Sequence, residues 1–275
     1  MFGATNGQPQ KSVKKLRENS MNYFKTFLQE PTENTTLLID GDLYLYRACA
    51  AAEEEIRWSH DIWSLATDLA VAKRIFQKTI DDACEYLDTS HFIVCLSDRG
   101  NFRKEVDAQY KGNRRNVRKP VGYSEMVQWV KDTYRWYVEP MLEADDIMGI
   151  LGSAPGHSTI VMSDDKDLKS VPCKLYRPVA GEFLTITEAQ ADLAFLTQAL
   201  MGDATDGFSG CPTVGAKTAE KILAKAPSWS TVVSTYAKHK LNENYALTQA
   251  RLARILRYSD WNIDDSQIIL WEPKR

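Results

Sequence analysis

The sequence predicts an α/β fold, with a mostly parallel central sheet and flanking helices. Three short apolar runs carry this prediction: TTLLID (35–40), HFIVCLSD (91–98) and STIVMSDDKD (158–167). Segments with helical periodicity separate them, and strands alternating with helices build parallel sheets. Apolar strands of this length are typical of a sheet buried on both faces. Each run also ends in aspartate, and ligands bind beyond the carboxyl ends of such strands.

The segments around the first strand are predicted to be helical. Residues 1–34 form a predicted N-terminal extension that is partly disordered and partly helical. Its first ten residues are polar, whereas residues 11–29 fit a helix whose aromatic and leucine side chains share one face. After the first strand, a long helical pattern runs from about residue 61 to residue 87.

Composition excludes several classes of protein. The net charge is −3, so overall charge does not indicate nucleic-acid binding. Five cysteines are scattered without a C-x-x-C pair, as expected for reduced thiols in a cytoplasmic protein. The N-terminus has no apolar core of a secretory signal, and no run of about 18 apolar residues predicts a membrane span.

Local charge is distributed unevenly, because residues 99–123 form a strongly basic segment. Glu105 and Asp107 are its only acids. One interpretation is a solvated loop. The other is a phosphate contact in which Tyr110 stacks on a base while Lys111 and Arg114 bind the backbone. The eight basic residues are Arg99, Arg103, Lys104, Lys111, Arg114, Arg115, Arg118 and Lys119.

After residue 187 the sequence pattern predicts mainly helices. TEAQ (187–190) predicts a capping box that opens a helix ending at Met201. GCPTVGAKT (210–218) departs from the ATP-binding P-loop pattern by one residue and follows no strand, so ATP binding is rejected. The turn is interpreted either as a phosphate-binding helix start or as a tight helix–helix turn. A helix and one last short strand complete the chain.

Carboxylates are the candidate catalytic groups. LEADDIM (142–148) places three of them in an otherwise apolar segment. Two carboxylates about 4 Å apart repel by roughly 4 kcal/mol at an effective dielectric near 20, so the segment either faces solvent or surrounds a cation. Oxygen ligands, together with only four histidines in the chain, favour Mg²⁺ or Mn²⁺. So many carboxylates could hold two ions about 3.5–4 Å apart, an arrangement suited to phosphodiester displacement.

Other interpretations remain open at this point. Any one of the aspartates, taken alone, fits a turn or a solvated face. DGD at 40–42 also fits the nucleophile and acid of an aspartyl phosphatase of the haloacid dehalogenase type, with Asp42 as the acid. That hypothesis leaves LEADD, SDDKD and YKGNRR unexplained. A further alternative is a structure-specific DNA-binding protein with a non-catalytic nuclease fold.

Five motifs in order resemble the flap endonuclease family of 5′-nucleases. They are IDGDLYLYR, LSDRGNFRKE…YKGNRR, LEADDIMG, SDDKDL and LMGDATDGFSGCPTVGAKTAEKIL, and the resemblance runs from about residue 36 to residue 225. AAAEEEIRW, ARILRYSDWN and IILW resemble more closely the 5′→3′ exonucleases of short-tailed phages. The resemblance implies a PIN-like nuclease core over residues 35–200, with a helical arch or gateway at about 99–135. It also implies a helix-turn-helix module for duplex DNA over 201–260 and a C-terminal strand or tail over 261–275.

The resemblance further implies a phosphodiesterase with flap-endonuclease-like and RNase H-like activity, working by two metal ions. Duplex DNA and RNA–DNA hybrids are the implied partners of a monomer, in primer removal, genome processing and host DNA degradation. Lys111 and Arg114 join the carboxylates as implied catalytic residues. Tyr110, the basic residues from Arg103 to Lys119, Gly210, Gly215 and Lys217 are implied DNA contacts, with K⁺ at the helical motif. The implied metal ligands are Asp40, Asp98, Glu143, Asp145, Asp146, Asp165, Asp167, Asp203 and Asp206. Asp42 is left out, because relatives often have threonine or asparagine at that position.

Overall fold

A computed structural model describes residues 23–30, 34–114 and 116–274, and its strands form one large sheet and two hairpins. In chain order the strands are β1 (Thr36–Asp40), β2 (Glu53–Arg57), β3 (Trp63–Thr67), β4 (His91–Cys95), β5 (Trp136–Tyr137), β6 (Thr159–Met162), β7 (Lys174–Arg177), β8 (Glu182–Thr185), β9 (Trp261–Asn262) and β10 (Gln267–Ile268). The large sheet has the order β5-β4-β1-β6-β7-β8. Its first five strands are parallel, and β8 pairs antiparallel with β7. The predicted fold class is therefore confirmed.

Helices cover the sheet and build the C-terminal part of the chain. They are α1 (Gly41–Ala51), α2 (Leu69–Tyr86), α3 (Arg103–Val106), α4 (Tyr123–Thr133), α5 (Ala144–Gly152), α6 (Glu188–Met201), α7 (Ala216–Leu223), α8 (Trp229–Lys238) and α9 (Glu243–Ala253). Three 3₁₀ turns span Gly112–Arg114, Lys166–Ser170 and Tyr258–Asp260. Residues 23–29 are also helical, as predicted for that stretch. The rest of the predicted helix lies outside the described residues.

Alternating side chains of β1 separate two hydrophobic layers, as the pleat of a strand requires. Leu37 and Ile39 pack in one buried cluster with α1, α2 and α4. Leu38 lies in the other cluster with α5 and with Phe24 and Phe27 of the N-terminal helical segment. Burial on both faces explains why the strand is apolar throughout, and it fixes the carboxyl end of β1 between two helix layers.

The start of α1 lies unusually close to β4. A Cβ atom on Gly41 would lie 2.6 Å from side-chain carbons of Val94 and Leu96 and 2.7 Å from the carbonyl oxygen of Cys95. Glycine is therefore required where α1 leaves β1. This close approach holds Asp40, the last residue of β1, at the helix start.

A hairpin replaces the first turns of the helix predicted from about residue 61. Strand β3 pairs antiparallel with β2, and α2 begins only at Leu69. Asp68 ends the hairpin because its carboxylate accepts hydrogen bonds from the backbone N–H groups of Ala70 and Val71, a helix N-cap. The prediction was wrong for residues 61–68, because pairing with β2 overrides their helical spacing.

The C-terminal helices enclose a third cluster of buried residues. The predicted capping box is present, with Thr187 and Gln190 exchanging hydrogen bonds at the start of α6. The last strand was predicted alone, but β9 and β10 form a hairpin. The predicted domain boundaries remain predictions. Within the described ranges, no helix is long and apolar enough to cross a membrane.

Candidate functional site

Asp40 is a buried carboxylate at the carboxyl end of β1, with only 4% of its surface exposed. One oxygen accepts from the backbone N–H of Leu43 at 3.0 Å, and the other accepts from the hydroxyl of Ser163 at 2.6 Å. Burial raises the pKa of Asp40 to about 7, against the effect of these two hydrogen bonds, and Asp42 and Asp165 raise it further. A neighbouring cation would favour the ionised form of this group.

Helix α5 begins with the acids of LEADD, and its start is tied to the end of β4. The hydroxyl of Ser97 accepts a hydrogen bond from the backbone N–H of Ala144 at 2.9 Å. Burial raises the pKa of Asp145 well above its usual value, and the charges of Asp40 and Asp165 add to the rise. Carboxylates from β1, α5 and the segment after β6 are therefore close enough to repel one another.

The other strand-end acids stand three residues beyond their strands. Asp98 follows β4, and its Oδ2 accepts from the backbone N–H groups of Gly100 and Met141, each at 3.1 Å. Asp165 follows β6 and accepts from the N–H of Asp167 at 2.9 Å. Burial raises the pKa of Asp167 to about 6, and Asp165 is the next largest cause.

Two adjacent cavities collect eight of the nine predicted acids. The larger, of about 860 Å³, is lined by Asp40 and Asp98, and the smaller, of about 250 Å³, by Asp167, Asp203 and Asp206. Three acids line both cavities: Glu143, Asp145 and Asp165. The structure thus brings the predicted set together as two connected groups. Asp146 lines neither cavity.

The basic segment lies between these two groups of acids. Lys111 forms ion pairs with Glu143 and, at 3.6 Å, with Asp206. Arg114 forms a second ion pair with Asp206 at 2.7 Å. Burial lowers the pKa of Lys111, but these acids outweigh burial and raise it. For the carboxyl group of Glu143 burial acts in the opposite direction and raises the pKa. The charges of Arg103 and Lys111 outweigh this effect and lower the pKa of Glu143 to about 2.

Tyr110 does not offer the stacking surface that was predicted for it. Its ring is buried, with 3% of the residue exposed. Its hydroxyl lies 3.1 Å from Oε2 of Glu143 and 2.9 Å from Oδ2 of Asp206, and its single proton can be donated to either carboxylate. A buried ring cannot receive a base, so the structure contradicts this assignment and gives Tyr110 a place in the core beneath the acids.

Arg103 and Asp146 also depart from their predicted roles. Arg103 was predicted to contact DNA, but only 2% of it is exposed. Asp146 was predicted to bind metal, but it is fully buried and both its oxygens pair with Arg103. These two residues neutralise each other inside the protein.

The remaining basic residues of the segment lie on the rim of the larger cavity. Lys104, Arg118 and Lys119 are exposed and line this cavity. Arg118 donates twice to the carboxylate of Glu53, at 2.7 Å each, which ties the segment to the β2–β3 hairpin. Arg115 lies outside the described residues.

The helical module contains the other predicted contacts. Gly202 and Gly210 have positive φ angles, and their backbones touch so closely that a Cβ on either would lie within 2.6 Å of backbone atoms. Gly215 is the N-cap residue of α7, a Cβ atom on it would contact nothing within 4 Å, and Lys217 is exposed on the first turn of the helix. Asp203 uses Oδ1 to accept from the backbone N–H groups of Thr205 and Asp206, which shapes the loop.

Asp42, the acid of the phosphatase hypothesis, has structural partners. Its carboxylate accepts from the backbone N–H of Ser97 at 3.2 Å and from the hydroxyl of Tyr123 at 3.0 Å. These bonds hold α1 against β4 and α4. Both oxygens of Asp42 are thus engaged in structural hydrogen bonds, which does not favour the phosphatase interpretation.

Tyr46 is a cavity residue that was not predicted from the sequence. It lies on α1, lines the larger cavity and has 44% of its surface exposed. Its position four residues after Asp42 places both on one helix face, and this spacing was the available signal. An exposed ring beside the acids can stack on a nucleobase.

The oxygen-rich donor set suits a hard divalent cation. Among the residues that the structure describes, no three His, Cys, Asp or Glu side chains are arranged to hold a metal ion. Burial raises the pKa values of Asp40, Asp145 and Asp167, and the neighbouring carboxylates raise them further. The chemistry of Asp40, Asp98, Asp145, Asp165 and Asp167 therefore fits Mg²⁺ or Mn²⁺, which would neutralise it.

The amino-acid sequence matches one family model and curated phage proteins. The model "5'-3' exonuclease, N-terminal resolvase-like domain" matches residues 35–189. An exodeoxyribonuclease of Enterobacteria phage T3 is 32% identical, over 86% of this chain and 93% of its own. An exonuclease of Escherichia phage T7 is 33% identical over the same shares of the two chains.

Solved structures share the fold. A bacteriophage T5 flap endonuclease in a pseudo-enzyme-product complex with DNA and metal ions aligns with a TM-score of 0.60 and 15% identity. T5 5'-exonuclease with bound zinc ions aligns with a TM-score of 0.59 and 16% identity. The alignments cover 80% of this chain in both cases, and 88% and 89% of the respective T5 chains.

Proposed function

The chain belongs to the 5′-3′ exonuclease family, in its phage type, and we propose that it hydrolyses phosphodiester bonds of duplex DNA from 5′ ends. The prediction of a 5′-nuclease family is thereby confirmed. The T3 and T7 relatives are named exodeoxyribonuclease and exonuclease. The substrate and the roles of individual residues are proposals for this chain.

The observation that carries the proposal is the composition of the larger cavity. Its floor holds the carboxylates Asp40, Asp98 and Asp145, and its rim holds Lys104 and Lys119 together with other basic side chains. A phosphate group and the carboxylates are both negatively charged and repel each other. A phosphate can therefore approach the acids only if a positive charge lies between the phosphate and the carboxylates. The exposed cations of the rim suit the backbone of a strand that enters the cavity.

Divalent cations, as crystallised with the T5 protein, are part of the proposal. Asp40 and Asp98 would bind a cation in the larger cavity, and Asp167 would bind one in the smaller cavity. Asp145 and Asp165 line both cavities and would contribute to both sites. Bound there, such ions polarise a phosphate and lower the pKa of water. Asp203 and Asp206 are assigned to shaping the loop and to holding Lys111 and Arg114.

Lys111 and Arg114 are proposed to act on the phosphate. In the structure both side chains are paired with Glu143 or Asp206 beside the acids. Turning either cation toward a bound phosphate neutralises charge that develops on the phosphoryl oxygens. The ion pairs keep the two cations within reach of that position.

Base stacking is assigned to Tyr46 in place of Tyr110. The exposed ring of Tyr46 borders the cavity that contains Asp40. Stacking on an aromatic side chain is tolerant of sequence, because every base has a flat face. A terminal nucleotide unpaired from the duplex would find such a surface at the cavity wall.

The helical module is proposed to hold the duplex through its phosphates. Gly215 has no side chain to cap the first turn of α7, a Cβ atom on it would meet nothing within 4 Å, and Lys217 is exposed on that turn. Helix N-termini bind phosphate without reading sequence. K⁺ at the turn around Gly210 remains part of this proposal, as do RNA–DNA hybrids as substrates and a monomeric enzyme. The proposed tasks are primer removal, genome processing and host DNA breakdown.

A digest of duplex DNA labelled at the 5′ or the 3′ end tests the function. With Mg²⁺, the 5′ label should be released early as short products, whereas EDTA should abolish cleavage. Asp145→Asn should lower turnover at least about 100-fold while DNA binding survives, and Asp132→Asn on the exposed end of α4 is the matched control. Cleavage that is independent of metal, or that begins at 3′ ends, would contradict the proposal. Intact DNA at high protein concentration would favour a non-catalytic binding protein instead.

A further inference from the structure

The guanidinium of Arg103 uses its full hydrogen-bonding capacity inside the protein. Nε donates to the carbonyl of Leu252 at 3.1 Å, and Nη1 donates to Glu143 at 3.2 Å and to Asp146 at 2.8 Å. Nη2 donates to Asp146 at 2.7 Å and to the carbonyl of Arg254. These five bonds match the five N–H donors of arginine. Arg103 therefore has no donor left for DNA.

Asp146 is satisfied in the same way. Oδ1 accepts from Arg103 and from the backbone N–H of Leu256 at 3.1 Å. Oδ2 accepts from Arg103 and from the backbone N–H of Glu143 at 3.1 Å. Four hydrogen bonds fill the four lone-pair positions of a carboxylate. The neighbouring Asp145 points instead into the cavities, because successive residues on a helix are about 100° apart.

The pair joins three segments that are distant in sequence. Arg103 belongs to the basic segment, Asp146 belongs to the first turn of α5, and residues 252–256 span the end of α9 and the segment after it. Arg103 is 43 residues from Asp146 and 149 residues from Leu252. An ion pair buried this deeply adds little net stability, because both charges lose their hydration. Its geometry, however, fixes all three segments to one point.

We propose that Arg103 and Asp146 are positioning residues for the active site. They hold Glu143 and Asp145 in place relative to Lys111 and to the duplex-binding helices, without touching substrate or metal. This inference rests on the proposed nuclease function. It replaces the predicted roles of Arg103 in DNA binding and of Asp146 in metal binding.

The double variant Arg103→Met/Asp146→Leu separates positioning from stability. Each single change leaves one buried charge unpaired and should lower the Tm, whereas the double change removes both charges and should recover much of that loss. If the pair positions the acids, kcat of the double variant stays about 10- to 100-fold below wild type while KM for duplex DNA changes little. Recovery of both Tm and kcat would overturn the proposal.

Arg103→Lys provides a second variant that keeps the charge. Lysine lacks the planar five-donor fork, so its kcat should also stay at least about 10-fold low. A wild-type kcat for this variant would overturn positioning by the guanidinium, even if the double variant does not fold. The matched control is Arg177→Met/Glu182→Leu, a partly buried ion pair between β7 and β8 that lies outside both cavities. Its kcat should remain near the wild-type value when both proteins are assayed well below their Tm values.

Titration calorimetry of the metal separates this inference from the proposed function. In the absence of DNA, wild type should bind Mg²⁺, and the double variant should bind it about 10-fold or more weakly, because Asp145 is displaced. Unchanged Mg²⁺ affinity together with normal kcat would refute positioning and leave the nuclease proposal intact. A wild-type protein that neither binds Mg²⁺ nor cleaves DNA would refute the nuclease proposal itself.

Discussion

At the scale of single residues, burial sets the charge of carboxyl groups, and Glu139 is the simplest case. It is 2% exposed, and its Oε1 has no hydrogen-bond partner among the described residues. Burial raises its pKa from 4.5 to about 8. The folded protein therefore holds this proton more tightly than the unfolded chain does. Glu139 lowers stability as pH rises from about 4.5 through 8.

Glu139→Gln should remove this dependence on pH. At pH 8 the variant should be more stable than wild type by about 1–3 kcal/mol, because a neutral amide replaces a buried charge. Near pH 4.5 the two proteins should unfold at nearly the same denaturant concentration. Denaturant unfolding across this pH range provides the measurement, with Glu55→Gln on the exposed hairpin as control. Equal stability at pH 8 would mean that Glu139 is not a buried charge.

Tyr46 leads to a second prediction at this scale. Tyr46→Ala should weaken binding of DNA with an unpaired 5′ end by about 1–3 kcal/mol, the usual contribution of one stacked base. Tyr46→Phe keeps the ring and should bind as wild type does. Fluorescence anisotropy with and without the unpaired nucleotides measures the difference. A loss that is equal for blunt and unpaired ends would indicate that the ring is not a stacking surface.

Single residues also mark the limit of prediction from the sequence. Asp145 and Asp146 are adjacent and chemically identical, yet one lines both cavities and the other pairs with Arg103. Only the rotation of α5 distinguishes them, and sequence spacing does not fix that rotation. The partner of Asp146 is 43 residues away, so no local pattern could reveal it.

At the scale of elements, the basic segment is restrained by two acids that pair with Lys111, Glu143 and Asp206. Asp206 accepts from Tyr110 and Arg114 and lies 3.6 Å from Lys111. Its backbone carbonyl also accepts from the N–H of Lys111, whose φ of 53° is uncommon for a residue other than glycine. One carboxylate thus ties this segment to the loop after α6.

Asp206→Asn should loosen the segment without unfolding the protein. Partly exposed ion pairs contribute about 0–1 kcal/mol each, so tryptic cleavage between residues 104 and 119 should accelerate a few-fold in a metal-free buffer. Mass spectrometry of the early fragments identifies the sites, and Asp132→Asn is the control. Cleavage at the wild-type rate would show that Asp206 does not restrain the segment.

The secondary-structure elements differ in how well their own sequence predicts them. The runs of β1, β4 and β6 were predictable, because a strand buried on both faces must be apolar throughout. The β2–β3 hairpin was not, since EEEIR carries mostly charges and its partner WSLAT is exposed. Its strands form by pairing with each other, and pairing between strands is a tertiary property.

At the scale of the whole molecule, the fold gathers negative charge in one place and surrounds it with basic side chains. The net charge is only −3, yet nine acids line the two adjacent cavities, eight of them from the predicted set and the ninth Asp42. The parallel sheet brings Asp40, Asp98 and Asp165 to one edge, and sequence predicted that edge because each acid follows an apolar run. Sequence could not predict that Lys111 and Arg114 lie between the two groups, since their ion pairs depend on the loop after α6.

This concentration of charge predicts a conflict between stability and function. Burial and the neighbouring acids raise the pKa of Asp145, so the metal-free protein carries a strained carboxylate. Each unit by which the folded state raises a pKa corresponds to about 1.4 kcal/mol of stability that the ionised group loses. A change of 1 kcal/mol moves the Tm by about 2–4 °C in a chain of this size. In EDTA at pH 8, Asp145→Asn should therefore melt several degrees above wild type.

Magnesium should reverse that order. A ligand at about 100 times its Kd stabilises the state that binds it by about 2.7 kcal/mol, so saturating Mg²⁺ should raise the wild-type Tm by about 5–10 °C. Asp145→Asn, which lacks one charged ligand, should gain much less. Scanning calorimetry of both proteins with EDTA or Mg²⁺ tests this, with Asp132→Asn expected to follow wild type in both buffers. Equal gains in Tm for wild type and Asp145→Asn would show that the cation does not bind at Asp145, and the charges of LEADDIM would then need another explanation.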